Sequence, residues 1–154
     1  MSPPDCYCDT IILEVVGTMI RRATQADIGE MQEVFVSSLK GELPEKQDIE
    51  DWKAMIQNGG VYVYEEANQI IGFGALEIRR GYIDALYVRT DYKRQGIGPI
   101  ILNQLEELAK LNGIEVVELD AAFCSETFYD KWGYERVSES IGKDKKIFHM
   151  RKKL

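Results

Sequence analysis

Three β-rich runs, VYVYEE (61–66), IIGFGALEI (70–78) and YIDALYV (82–88), follow one another with only ANQ and RRG between them. A crossover to a parallel strand needs a dozen or more residues, so these runs pair as antiparallel hairpins. The rest of the chain has to pack on this meander or extend it. Ahead of it, MIRR reads as a strand and Thr24, with Asp27 three residues on, as a variant capping box at a helix start. Ile28, Met31, Phe35 and Leu39 then recur at helical spacing, and Ile49, Trp52 and Ile56 do so again before NGG stops a second helix.

Behind the meander, Ile100, Ile101, Leu105, Leu108 and Leu111 mark a helix that Gly113 closes. IEVVELDA reads as a strand, and the helix before it makes a crossover that sets it parallel to YIDALYV. SETFYDKW is a short helix, and YERVSES and KIFHMRK form a last hairpin across IGKDK. The expected fold is α+β, a mixed, mostly antiparallel twisted sheet flanked by helices, in the order β-α-α-β-β-β-α-β-α-β-β.

A chain of 154 residues is sized for one domain and buries roughly 68–70% of its unfolded surface. No window approaches the ~18 apolar residues of a membrane span. Residues 1–18 read differently from the rest, with two prolines, Cys6-x-Cys8 and the short apolar run IILEVV. Asp5 and Asp9 argue against a secretory signal. We expect an N-terminal extension over 1–18, upstream of a start at Met19 and with an added strand at IILEVV, and a single domain over 19–154.

The stretch YKRQGIGPIIL, Tyr92 to Leu102, lies between a strand and a helix N-terminus. Backbone N–H groups there are unpaired and the helix dipole is positive, so main chain alone can hold an anion such as a pyrophosphate. Glycine at 96 and 98 removes the β-carbons that would keep the anion at a distance, and Lys93 and Arg94 add charge. Pro99 starts the helix at the cost of one donor. Taken alone, this G-x-G is equally a flexible helix start. A dinucleotide fingerprint would need a third glycine at the right spacing, and a nucleotide P-loop would need G-K-[ST], neither of which is present.

Charge excludes other classes. The formal net charge is -7, but residues 140–154 carry six of the 19 basic residues and one of the 26 acids. That leaves 13 basic against 25 acidic residues, a formal -12, in residues 1–139. An acidic body disfavours nucleic acid and favours cationic partners. Three cysteines, Cys6, Cys8 and Cys124, have no framework spacing, which favours a reduced, cytoplasmic setting. A metal site would need more ligands than Cys6-x-Cys8 and the single His149 offer.

With KRQGIG behind IDALYV, and FYDKWGY near the end, the chain from Met19 to about Lys152 resembles the GCN5-related N-acetyltransferases. Their Q/R-x-x-G-x-G/A signature is met with Lys93 in place of Gln or Arg, and FYDKWGY is similar to their F-Y-x-x-x-G-F block. The resemblance implies that the amides of Arg94, Gln95, Gly96, Ile97 and Gly98, with Lys93 beside them, cradle the pyrophosphate of acetyl-CoA. It implies that Leu86, Tyr87 and Val88 lend backbone groups to the pantetheine arm and thioester, with the Leu86 N–H stabilising the charge that develops on the carbonyl. Tyr129 would sit beside the sulfur and protonate the departing thiolate. A phenol and an alkyl thiol have comparable unperturbed pKa values, so that transfer costs little. A half-buried aromatic with its hydroxyl at the surface is the other reading of Tyr129.

In this family a strand carboxylate often takes the proton of the attacking amine. Asp84 lies two residues before Leu86, which by strict alternation puts both side chains on one face. Glu77 and Asp120 are rivals, and structural hydrogen bonding is an equal reading for each. Cys124 is expected as a packed thiol lining the cofactor channel, with direct transfer and no acyl-enzyme, since nothing brings it to His149. Trp52, Glu42, Glu45 and Glu50 could face a cationic acceptor or form a solvated helix surface. The expected activity is acetyl-CoA-dependent transfer to a primary amine of a small molecule or peptide, by a monomer or a homodimer, with no nucleic acid or membrane partner. The alternative is a non-catalytic acyl-CoA-binding or regulatory module of the same fold.

Overall fold

The structure, a computed structural model, describes residues 10–12, 18–39, 41, 43–142 and 145–154. Its elements run β1 (Thr10–Ile12), β2 (Thr18–Arg22), α1 (Ile28–Ser38), α2 (Lys46–Gln57), β3 (Val61–Glu66), β4 (Gln69–Glu77), β5 (Tyr82–Val88), α3 (Ile97–Leu111), β6 (Val116–Ala122), α4 (Glu126–Lys131), β7 (Glu135–Gly142) and β8 (Lys145–Lys153). They build one eight-stranded sheet in the order β1-β2-β3-β4-β5-β6-β8-β7. The expected order is present, with β1 added ahead of it. That strand pairs antiparallel with β2, Thr10 opposite Arg21, and covers Ile11 and Ile12 of IILEVV, whose remaining residues lie outside those described.

The meander forms as its short gaps require, with β3–β4 and β4–β5 both antiparallel. The first turn is only Ala67–Asn68, both at positive φ (50° and 64°), the geometry that two-residue hairpins use to match strand twist. All four residues of VYVY in β3 are buried because helices cover both faces of the sheet. Val61 and Val63 point to the side of α1 and α2, where Phe35, Trp52 and Phe73 cluster, while Tyr62 and Tyr64 point to the side of α3. On β4 the same alternation sends Phe73 and Ala75 one way and Gly72 and Gly74 the other. A Cβ on Gly74 would stand 2.6 Å from Ile101 Cγ2 and 2.9 Å from Leu105 Cδ1, so glycine lets α3 lie against the strand.

Thr24 and Asp27 form the expected capping box: the Thr24 N–H donates to Asp27 Oδ2 at 2.7 Å. Asp27 also accepts from both terminal guanidinium nitrogens of Arg21 (2.8 and 3.0 Å), tying the helix start to β2. At the far end, the buried Glu106 of α3 accepts from Tyr134 (2.8 Å) and from Lys152 (3.0 Å), so its charge is paired where it is desolvated. Trp52 is 2% exposed, which removes it from the set of acceptor-facing candidates: its ring packs edge-on against Phe73 at 5.1 Å. Glu45, the N-cap of α2, and Glu50 on α2 are exposed, Glu50 against Lys53 at 3.5 Å, and Glu42 lies outside the described residues.

Candidate functional site

The site begins where the sheet stops being continuous. Among the described residues, strands β5 and β6 form the one parallel pair of the sheet, and only Tyr82–Glu118 and Ile83–Leu119 are in register. Beyond Ile83 the two strands diverge, and a cleft of about 890 Å³ opens between them. Leu86, Tyr87 and Val88 form one wall, Leu119, Asp120 and Ala121 the other. The glycine loop and α4, with Phe128, Tyr129 and Trp132, complete the enclosure.

Backbone direction along β5 follows from one bond. The Arg89 N–H donates to Ile71 O on the β4 side at 2.8 Å. Main-chain groups of an antiparallel strand alternate between its two edges, so those of Leu86 and Val88 face the other edge, the one β6 has left. The N–H assigned to a developing thioester oxyanion thus points into the cleft.

At the loop, Arg94 (φ 66°) and Gly96 (φ 81°) adopt left-handed backbone, and Gly96 is the N-cap of α3. Lys93, Arg94, Gly96 and Gly98 line the cleft. Ile97 is a buried core residue whose contribution is confined to main chain, and exposed Gln95 donates from its side chain to Asp91 O at 3.4 Å. Pro99 falls in the first turn of α3, where its missing N–H has no helical partner to lose. Thr90 fixes the loop to the end of α1: its N–H donates to Ser37 Oγ at 3.0 Å, and its hydroxyl donates to Ser37 O.

Tyr129 is 9% exposed and borders the cleft, and its hydroxyl has no hydrogen-bond partner among the described residues. Its ring is held edge-on between Phe128 (5.0 Å) and Tyr134 (5.7 Å). Burial, with the neighbouring Tyr87 adding to it, pushes the phenol up, so it stays protonated at neutral pH. Burial also pushes Tyr87 up, to about 12. Cys124 borders the cleft as expected, but its thiol is free and exposed rather than packed. It sits in the short helical turn that carries β6 into α4, away from the core layers.

Asp84 borders the cleft but does not share a face with Leu86. The register of β5 against β4 shifts between Ala85 and Ile83, so Asp84 is the extra residue of a β-bulge and alternation breaks there. Leu86 packs with the α3 layer, whereas the charges felt by Asp84 are those of Asp51 and Asp48 on α2, with Glu77 and Arg80 nearby. Burial first, then Asp51 and Asp48, push the Asp84 carboxyl above its usual range. On the other wall burial also pushes Asp120 up, but hydrogen bonds from His149 and Tyr82 outweigh it and hold the carboxyl below its usual range.

Cleft residues outside the motifs escaped the sequence reading. Ser38 and Leu39 reach the cleft from the end of α1, and Tyr92 from the start of the loop. Only Tyr92 had a signal, its place next to KRQGIG.

Comparison with known proteins agrees with this geometry. The family model described as an acetyltransferase (GNAT) domain matches residues 27–154, and the chain belongs to that family. The uncharacterized protein YyaT of Bacillus subtilis is 28% identical over 131 residues, covering 80% of this chain and 86% of its own. The fold is that of paia N-acetyltransferase from Thermoplasma acidophilum in complex with coenzyme A (TM-score 0.71, 22% identity, 89% of this chain and 99% of that one). It is also that of yncA from Salmonella typhimurium with acetyl-CoA (TM-score 0.73, 17% identity, 90% and 94%). No helix among the described residues is long and apolar enough to cross a membrane.

Proposed function

We propose that the protein transfers the acetyl group of acetyl-CoA directly to a primary amine of a small molecule or peptide. The observation that carries this reading is the cleft opened by divergence of β5 and β6, with a helix N-terminus at one end and, inside, a tyrosine hydroxyl that has no partner among the described residues. The solved structures of the same fold that hold coenzyme A and acetyl-CoA support the choice of donor.

In this reading the N–H groups of Arg94 to Gly98, the Lys93 and Arg94 charges and the α3 dipole bind the pyrophosphate. The free-edge main-chain groups of Leu86 and Val88 bind the pantetheine as a strand would, those of Tyr87 being turned to β4, and Cys124 borders that channel. Attack by the amine turns the thioester carbonyl into an oxyanion, which the Leu86 N–H stabilises. As the C–S bond breaks, Tyr129 gives its proton to the sulfur. The amine loses one proton, which Asp84 accepts directly or through water, and its raised pKa makes it the better base of the two cleft carboxylates.

Thiol release tested against a panel of amines separates this enzyme from a module that only binds acyl-CoA. Release that depends on an amine is expected. Asp84→Asn should lower the rate mostly below the pKa of the bound amine and matter less above it, where free amine is abundant. Donor binding with no release on any amine would refute the proposal.

A further inference from the structure

His149, the single histidine of the chain, sits on β8 opposite Asp120 of β6. Its Nδ1 lies 2.8 Å from Asp120 Oδ1 and its Nε2 2.8 Å from Glu118 Oε1. A neutral imidazole has one N–H and could satisfy only one of these oxygens, whereas the imidazolium donates to both. Asp120 also accepts from Tyr82, and it borders the cleft across from Asp84. Glu118 and His149 do not border it. The cleft wall therefore carries an anion whose counter-cation is held behind it.

We propose that Asp120 is the docking carboxylate for a cationic acceptor and that His149 is its internal competitor, pairing with it until an acceptor binds and then releasing it. This rests on the acceptor entering beside Asp84, as in the transfer reaction above. The division of labour is chemical. Asp84 is partly buried and faces Asp51, Asp48 and Glu77, and burial together with these carboxylates favours its taking up a proton despite Arg80 nearby. Asp120 is surrounded by donors, Tyr82 and His149, with Arg80 nearby, which keep it an anion able to hold an ammonium group.

Competition makes binding and protonation linked. A cation on Asp120 weakens its hold on the imidazolium, so acceptor binding lowers the titration midpoint of His149, and acceptor affinity rises with pH through that titration. Among the described residues the charged groups that act on the imidazole are Glu118 and Asp120 on β6; Arg151 lies two residues along β8, with Glu135 of β7 as its register partner. On β7 its register partner is Ser138, which carries no charge. Glu118 remains as a partner for the ring after Asp120 is released.

Because there is one histidine, its ring protons can be followed by NMR without assignment of the rest, using 1,4-diaminobutane as the cationic probe and no acetyl donor. The His149 midpoint should fall in the presence of the diamine, with affinity at least about threefold weaker below the titration than above it. Asp120→Asn should abolish both effects, Glu118→Gln should keep them, and His149→Gln should make diamine affinity independent of pH over this range. A midpoint that saturating diamine leaves in place, or that it moves equally in Asp120→Asn, would overturn the proposal. The readout needs no turnover. Transfer to amines with an unmoved midpoint therefore condemns this inference alone, and a moved midpoint without transfer condemns only the proposed reaction.

Discussion

Gly96 is where the fold and the proposed donor site meet most sharply, and Gly96→Val tests both. At φ 81° an L-residue pays about 1–2 kcal/mol for left-handed backbone, and a β-branched one pays at the upper end. No atom lies within 4 Å of the added Cβ, so the penalty is conformational and not a clash. In a domain of this size it lowers Tm by about 2–8 °C if the loop keeps its shape. If the loop relaxes instead, stability recovers but the N–H groups leave the positions from which they face the pyrophosphate. In either case the branched side chain stands at the mouth of the anion site, and acetyl-CoA affinity should fall at least about tenfold, about 1.4 kcal/mol. Gly98→Ala is the internal comparison. Its Cβ would meet the Phe128 ring at 3.5 Å, an ordinary contact on ordinary backbone, so stability should stay within about 0.5 kcal/mol. Titration calorimetry and thermal melts on the same samples read both quantities. A folded Gly96→Val with wild-type Tm and wild-type acetyl-CoA affinity would refute the reasoning.

Tyr129→Phe keeps the ring between Phe128 and Tyr134 and removes only the hydroxyl, so the single-turnover rate should fall about 10²-fold while acetyl-CoA affinity holds. A Phe variant at full speed would make the residue structural. Gly74→Ala should cost about 1–3 kcal/mol in urea unfolding because Ile101 and Leu105 occupy the space its methyl needs. Ala67→Gly relieves a left-handed alanine in a two-residue turn and should stabilise by about 0.5–1 kcal/mol, and any destabilisation would contradict the turn geometry.

The parts legible in the sequence were those set by short-range rules. Gaps too short for a crossover required the meander, the period of Ile101, Leu105 and Leu108 required a helix, and the glycines at 96 and 98 marked its entrance. FYDKWGY carried Tyr129 to the cleft. Long-range register was not legible. The bulge that sets Asp84 off the face of Leu86 comes from one extra residue against β4, and period-two counting cannot detect it. The contact between His149 and Asp120 exists because β8 pairs with β6 in one register, across 29 residues of chain. Trp52 reads as facing an acceptor or as part of a solvated helix surface, and its packing against the Phe73 ring puts it in the core instead.

Direct transfer within the β5–β6 cleft is the central claim, and mass spectrometry of one reaction tests it from both sides. The protein is incubated with acetyl-CoA and a mixed panel of cationic, neutral and anionic amines, and both the small molecules and the intact protein are weighed at short times. An acetylated amine should appear in step with free coenzyme A, cationic acceptors first and less selectively as salt rises, while the protein itself gains no mass. A protein 42 mass units heavier, roughly the acetyl group in place of a proton on exposed Cys124, or consumption of no amine by a protein that binds acetyl-CoA, would contradict it.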